Sequence, residues 1–87
     1  MLWKIEFEKN AKRALDKLDK PVKKQIENYL NDLLELDDPR KRGKGLSFNR
    51  RGQWRYRVGD YRLICEIRND VFVVLVVEIG HRSKVYD

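Results

Sequence analysis

The sequence contains little cysteine, histidine or proline, and it lacks a long apolar run. One cysteine cannot form an internal disulfide, and one cysteine with one histidine cannot complete a zinc site, so we expect no metal or other cofactor. No apolar stretch approaches the roughly 20 residues that span a bilayer. The charged start, residues 1–7, is unlike a signal peptide. These absences predict a cytoplasmic protein with no membrane partner.

The chain has 87 residues, of which 41% are hydrophobic, and it shows no internal repeat or low-complexity segment. This length is near the lower end of what buries an adequate core without disulfides or metals. We therefore predict one globular domain over residues 1–87.

The net charge of +6 is unevenly distributed along the chain. Residues 1–37 hold eight basic and eight acidic side chains, whereas residues 38–87 hold twelve basic and six acidic ones. Nine of the ten arginines lie in this second part. Since the guanidinium group makes planar, bidentate contacts with phosphate, an arginine-rich basic half favours nucleic acid as a partner.

Hydrophobic periodicity predicts an α+β fold in the order βααβββ. An N-terminal strand is followed by a two-helix hairpin and then by antiparallel strands, which form one twisted sheet with both helices on one face. The predicted strands are residues 2–7, 53–58, 61–67 and 71–79, and the predicted helices are residues 8–18 and 21–36. A basic loop covers residues 39–52, and Asn69-Asp70 is predicted to be a tight turn.

The second and third predicted strands form a hairpin around Gly59-Asp60, because glycine at the first loop position suits a type II′ turn. This turn pairs Val58 with Tyr61, Arg57 with Arg62, Tyr56 with Leu63, Arg55 with Ile64 and Trp54 with Cys65. Residues opposite one another project to the same face. One face is therefore apolar, with Cys65 as a buried structural thiol, and the other face gathers Arg55, Arg57 and Arg62.

Like charges directly opposite each other destabilise a sheet by a few tenths of a kcal/mol. The pair Arg57 and Arg62 therefore favours a bound polyanion as the reason for this arrangement. The alternative is an ordinary solvated face, since arginine is common on exposed sheets and 39% of the chain is charged.

Two segments, WRYRVGDYRL (residues 54–63) and GHRSKVY (residues 80–86), resemble the RelE/ParE superfamily of bacterial and archaeal toxins. The resemblance extends over essentially the whole chain. It implies the toxin of a type II toxin–antitoxin system. RelE-type members cut messenger RNA in the ribosomal decoding site, and a cognate antitoxin holds them inactive. ParE-type members share the fold, poison DNA gyrase, and generally lack the RNase residues.

The resemblance implies catalytic roles for three residues. Arg62 matches the arginine that contacts the phosphate, and Arg82 matches the arginine proposed to stabilise the cleaved phosphate and protonate the leaving oxygen. Tyr86 matches the tyrosine that stacks on or orients the substrate nucleotide. Without the resemblance, Arg82 is simply a charge near the chain end, and Tyr86 is nearly as well explained by a tail pinned to the sheet.

Arg55 and Arg57 stand where RelE itself has two lysines that help to activate the nucleophile. Arginine keeps its proton at any accessible pH, so these two residues are expected to bind RNA phosphate and not to act as bases. His81 can exchange a proton near neutral pH and is a further catalytic candidate, although a lone histidine is more often structural. The remaining predicted phosphate contacts lie in the basic loop: Lys44, Arg50 and Arg51.

The leading hypothesis is a metal-independent, ribosome-dependent mRNA endonuclease that inhibits translation. The 2′-OH of the RNA attacks the adjacent phosphorus and leaves a 2′,3′-cyclic phosphate. The expected partners are the ribosome with its mRNA and a cognate acidic antitoxin, with operator DNA contacted only through the antitoxin complex. The alternatives are a ParE-like gyrase inhibitor, which cuts nothing, and an RNA-binding module without catalysis.

Overall fold

The computed structural model describes residues 2–83. The strands are β1 (Lys4–Phe7), β2 (Lys44–Gly45), β3 (Gln53–Val58), β4 (Tyr61–Arg68) and β5 (Val73–His81), and the α-helices are α1 (Lys9–Asp16) and α2 (Lys20–Leu33). The sheet order is β1-β5-β4-β3-β2. Only the β1–β5 pair is parallel within this sheet. The predicted α+β class and the βαα start are confirmed, and both helices lie on one face of the sheet.

The hairpin of β3 and β4 has the register that its turn predicts. Gly59 has a φ of +58°, whereas Asp60 does not have a positive φ, as a type II′ turn requires. All five predicted pairs are present, from Val58 with Tyr61 to Trp54 with Cys65. Because side chains alternate between the two faces of a strand, the arginines of the hairpin lie on the face of the sheet that points away from the helices.

Three predictions about the sheet and helices are wrong in detail. The basic loop contains an extra two-residue strand, β2, which pairs with β3. The last strand begins at Val73, two residues later than predicted, because residues 69–72 form a four-residue connection in place of a two-residue turn. Val71 and Phe72 lie in this connection and are exposed. The helices also end earlier than predicted, by two residues for α1 and three for α2.

The main core lies between the helices and one face of the sheet. The helices contribute Ala11, Leu15, Ile26, Leu30 and Leu33, and the sheet contributes Tyr56, Val58, Leu63, Cys65, Val74, Val76 and Ile79. Cys65 is fully buried, and its burial raises the pKa of the thiol, so the thiolate does not form at neutral pH. The prediction of a structural thiol is confirmed.

A β-bulge in β5 changes which of its residues face the helices. Ile64 pairs with Glu78, but the next residue of β4, Cys65, pairs with Val76, so Val77 is the extra residue. The bulge turns Ile79 into the main core. Because faces alternate along a strand, Glu78 and its second neighbour Gly80 then lie on the opposite face, beside the arginines.

Candidate functional site

The face of the sheet away from the helices carries the residues that the sequence marks as functional. The register places Arg57 directly opposite Arg62, and Arg62 directly opposite Gly80. The next row contains Lys44, Arg55, Ile64 and Glu78. We call Lys44, Arg55, Arg57 and Arg62 the arginine face. These four cations come from three adjacent strands whose spacing is about 4.8 Å, so their charges are concentrated on one small part of the sheet.

Arg62 is the member of the arginine face that lies on β4. It lies between Arg57 on β3 and Gly80 on β5, and it is half-buried. Gly80 itself adds no side chain beside Arg62 on the β5 side. The guanidinium group is the side-chain group best suited to two parallel contacts with an oxyanion.

Arg50 is held across the sheet by an ion pair that the sequence did not reveal. Its Nη2 lies 3.1 Å from Glu78 Oε1 on β5, and its Nη1 donates a hydrogen bond of 3.3 Å to Gln53 Oε1 on β3. Because β4 lies between these two strands, the guanidinium group spans β4. Ile64 is 0% exposed although it belongs to the face away from the helices.

The ion pair gives Arg50 a different position from the one expected of a loop cation. Arg50 remains a predicted phosphate contact, but Glu78 balances its charge and fixes its direction. The sequence contained one signal for this pair, since Glu78 and Glu66 are the only carboxylates late in the sheet. Glu66 itself pairs with Arg68 at 2.9 Å.

The edge of the arginine face is shaped by Gly43. A cavity of about 300 Å³ is lined by Tyr29, Gly43, Lys44, Arg55 and Arg57. Gly43 has a φ of +79° and touches the backbone of β3, so it brings β2 close enough to place Lys44 opposite Arg55. The cavity therefore offers three cations and the ring of Tyr29 to an anionic ligand at the sheet edge.

The two ends of the basic loop differ in their ion pairs. At its start, Arg40 pairs with Asp38 at 3.5 Å and Lys41 pairs with Asp37 at 2.6 Å. These two cations are balanced locally. Arg51, at the other end of the loop, is exposed and follows the turn Phe48–Arg50, which lies beside the arginine face. Arg51 thus contributes more to the positive surface than Arg40 and Lys41.

His81 and Arg82, at the end of β5 and just after it, do not share the position of Arg62. The His81 ring meets Tyr61 edge to face at 5.6 Å, and Tyr61 packs against the helix-side core, so His81 projects to the helix side of the sheet. Its Nδ1 lies 3.1 Å from the Ser83 hydroxyl. Arg82 is exposed, and its backbone N–H donates to the carbonyl oxygen of Asp60 at 2.8 Å.

The structure therefore brings Lys44, Arg55, Arg57 and Arg62 together, with Arg50 tied beside them, but it does not place His81 on the same face. The backbone contact of Arg82 with Asp60 fixes the start of the tail at the hairpin turn, two residues from Arg62. Tyr86 lies outside the described residues. The predicted roles of all these residues stay predictions.

Metal clusters and membrane-spanning helices are both absent from the part of the chain that the structure describes. No group of three His, Cys, Asp or Glu side chains suited to a metal ion occurs in residues 2–83. None of the helices in that range has the length and apolar character needed to cross a membrane.

Comparison with known proteins identifies the family. Residues 5–86 match the family described as the ParE toxin of type II toxin–antitoxin systems, parDE. The chain belongs to this family, and it is the toxin of a type II toxin–antitoxin system with a RelE/ParE fold. Among curated proteins, no sequence matches the chain.

Solved structures of RelE toxins share the fold. The RelBE2 toxin–antitoxin complex of Mycobacterium tuberculosis matches with a TM-score of 0.84 and 26% identity, over 94% of this chain and 100% of that chain. The archaeal RelE–RelB complex of Pyrococcus horikoshii matches with a TM-score of 0.75 and 22% identity, over 98% of this chain and 100% of that chain. The isolated RelE toxin of Escherichia coli matches with a TM-score of 0.75 and 21% identity, over 91% of this chain and 83% of that chain.

Proposed function

We propose that this toxin is a ribosome-dependent, metal-independent endonuclease that cuts messenger RNA and thereby inhibits translation. One observation carries the proposal: Arg57 and Arg62 lie directly opposite each other on the face of the sheet away from the helices, with Arg55 and Lys44 in the next row. Cations grouped on neighbouring strands bind the phosphate groups of a nucleic-acid backbone, and arginine makes two parallel contacts with each phosphate.

The reaction that suits this surface is an internal transfer of the phosphoryl group. The 2′-oxygen forms a bond to the adjacent phosphorus, the bond from phosphorus to the 5′-oxygen breaks, and the products are a 2′,3′-cyclic phosphate and a 5′-OH. The 2′-OH loses a proton to a base, and the leaving 5′-oxygen gains one. Negative charge grows on the phosphoryl oxygens in the transition state, where fixed cations stabilise it.

Each arginine has a part in this scheme. Arg62 holds the phosphoryl oxygens, with Arg55 and Arg57 supporting the same charge and keeping the attacking and leaving oxygens in line. Arg82, directly after β5, stabilises the charge on the cleaved phosphate and on the leaving oxygen, which takes its proton from water. Tyr86 orients the nucleotide. The contact of His81 with Tyr61 turns its ring away from the arginine face, which weakens His81 as the base.

A gyrase inhibitor is the second candidate, because the matching family is named for the ParE toxin. Two assays on the purified toxin separate the candidates. An mRNA interferase gives cuts in mRNA on programmed ribosomes with 2′,3′-cyclic phosphate ends, and it leaves DNA supercoiling by gyrase unchanged. Loss of gyrase supercoiling with intact mRNA would overturn the proposal in favour of the second candidate.

Arg51→Ala is expected to weaken ribosome association without slowing the chemical step. Arg51 is exposed at the end of the basic loop, so its charge acts on RNA phosphate at longer range than Arg62. The slope of log affinity against log salt should fall by roughly 0.7 for each lost contact with a single strand. Binding to programmed ribosomes at several salt concentrations measures this slope, and single-turnover cleavage measures the chemical step.

A matched control for this experiment is Arg13→Ala on α1. Arg13 is also exposed, but it lies in the half of the chain whose charges balance. Its removal should leave the salt slope unchanged. An equal loss of affinity for both variants would show that net charge alone, and not the position of Arg51, determines binding.

The cognate partner that we propose is an acidic antitoxin that adds a segment along the outer edge of β1. This edge faces no other strand in residues 2–83. A groove of about 390 Å³ runs beside it, lined by Ile5 and Phe7 of β1 and by Leu30 and polar residues of α2. Exposed strand edges accept an extended peptide whose alternate side chains enter such grooves. Similar structures are complexes of RelE with RelB.

Asn28→Arg tests this docking site, because Asn28 lines the groove and is exposed, so the larger side chain fills the groove without disturbing the core. We expect weaker capture of the acidic protein encoded beside the toxin gene, measured by co-expression and pull-down. Asn10→Arg on α1 makes the same chemical change outside the groove and should bind normally. Undiminished capture by the Asn28 variant would exclude the groove as the docking site.

A further inference from the structure

Phe48 is an exposed aromatic residue in a strained backbone conformation. The residue is 89% exposed, and its φ is +55°, in the left-handed region that residues other than glycine rarely adopt. Phe72 also has a positive φ, of +54°, but its ring packs edge to face on Trp3 at 5.4 Å. Packing accounts for Phe72, whereas the ring of Phe48 covers almost nothing in residues 2–83.

Folding alone therefore gives no reason for phenylalanine at this position. Glycine would relieve the strained φ, and a polar side chain would avoid the exposed apolar surface. Strained backbone at an exposed aromatic residue is a common mark of a binding site, since the strain persists only where the surroundings hold it.

The turn that carries Phe48 is held by several hydrogen bonds. The backbone N–H of Arg51 donates to Phe48 O at 3.1 Å, and Leu46 N–H donates to Gln53 O at 3.0 Å across the base of the loop. The side chain of Arg50 ties the same turn to Glu78 on β5. The ring thus projects from an anchored turn, and little conformational entropy is lost when it binds a ligand.

The surroundings of Phe48 are strongly cationic. Residues 39–59 contain eight Lys or Arg residues and no Asp or Glu. An open cavity of about 510 Å³ beside the ring is lined by Leu46, Ser47, Phe48 and Arg51. The ion pair of Arg50 with Glu78 shows that this turn lies on the side of the arginine face. A ligand here combines a flat apolar surface with negative charge, which is the chemistry of an unpaired nucleotide.

We propose that Phe48 is a stacking platform for an unpaired RNA base, with Arg51 holding the phosphate of that nucleotide. This inference rests on the proposed function in taking RNA as the target. Proteins that bind single strands alternate aromatic rings with cations in this way, because every base has a face that stacks. Phe48 would therefore extend the RNA track from the arginine face along the basic loop and fix the register of the strand.

The test uses the full chain and RNA made uncleavable by 2′-O-methyl groups. In one arm the RNA is a free single-stranded oligonucleotide, and in the other it is mRNA on a programmed ribosome. If Phe48→Ala loses affinity in both arms, the stacked base belongs to messenger RNA. If it loses affinity only on the ribosome, the stacked base belongs either to ribosomal RNA or to mRNA as the ribosome holds it. Phe48→Ala is expected to weaken binding about 5- to 100-fold on the ribosome, and Phe48→Tyr should restore it.

Phe48→Leu separates stacking from simple apolar contact. Leucine fills a pocket in a protein partner but cannot stack on a base, so this variant should bind RNA as weakly as Phe48→Ala. Val71→Ala, at an exposed apolar residue that is 53% exposed in the connection before β5, is the control and should bind normally. RNA binding by Phe48→Leu equal to the unsubstituted toxin would overturn the inference.

Three further measurements keep this inference distinct from the proposed function. Phe48→Gly should raise the midpoint of thermal unfolding, because it relieves the positive φ, while it weakens RNA binding. A lower midpoint would make Phe48 a structural residue and overturn the inference. If RNA binding depends on Phe48 but the toxin makes no cut in unmodified mRNA, the proposed endonuclease activity is wrong and the stacking role of Phe48 is retained. Normal RNA binding by Phe48→Ala with lost antitoxin capture would make the ring a protein anchor, which contradicts the inference.

Discussion

Arg62→Ala is expected to lower the rate of mRNA cleavage by about 10²–10³ and to leave the fold intact. Arg62 belongs to the arginine face and lies between Arg57 and Gly80. In the proposed reaction, negative charge grows on the phosphoryl oxygens that Arg62 holds. A contact that strengthens in the transition state affects the rate more than the binding. Single-turnover cleavage on programmed ribosomes measures this rate, and Arg82→Ala should show a similar loss.

The control for this prediction lies on the same strand and the same face. Arg68 ends β4 and pairs with Glu66 at 2.9 Å, three rows away from Arg62. Arg68→Ala removes an identical side chain and should cleave at nearly the normal rate. Thermal unfolding of both variants checks that the fold is retained. If Arg62→Ala cleaves at nearly the normal rate, the arginine face is not the active site.

Gly43→Ala is expected to destabilise the protein by about 2–5 kcal/mol. The φ of Gly43 is +79°, and an added Cβ would lie 2.7 Å from Trp54 Nε1, 2.8 Å from Tyr56 Cδ1 and against the carbonyl oxygen of Arg55. Tyr56 is fully buried and its hydroxyl donates to the Pro39 carbonyl at 2.7 Å, so it cannot move aside. Denaturation by urea measures the free energy of unfolding.

This loss is a large part of the roughly 5–15 kcal/mol that typically stabilises a domain. Gly52→Ala is the matched control, because Gly52 also has a positive φ, +92°, but nothing lies within 4 Å of an added Cβ. It should cost only about 1 kcal/mol, from backbone strain alone. The difference between the two variants isolates the steric contact. Equal losses would show that β2 can move away from β3 without cost.

The same contact connects stability with the site. Gly43 sets the distance between β2 and β3, and this distance places Lys44 opposite Arg55 at the sheet edge. Gly43→Ala should therefore also weaken RNA binding, whereas Gly52→Ala should bind nearly normally. Binding measured at a temperature where both variants are folded separates this effect from unfolding.

The amino-acid sequence by itself determined the local parts of the site. Alternation along β3 and β4, together with the glycine of the Gly59-Asp60 turn, fixes the register over a few residues, so the pairing of Arg57 with Arg62 follows from residue order and turn chemistry alone. Helical periodicity likewise predicted which side of each helix is apolar and packs against the sheet. These features depend on neighbours within about ten residues, and backbone geometry restricts them to few solutions.

Tertiary structure alone decided how distant segments meet around the arginines. β1 pairs with β5 across more than half of the chain, and the bulge at Val77 turns Glu78 and Gly80 towards Arg62. Arg50 then reaches Glu78 across β4, and His81 turns to Tyr61 on the helix side. Local periodicity cannot show such contacts, because they result from packing between segments and a single extra residue in one strand reverses every face beyond it.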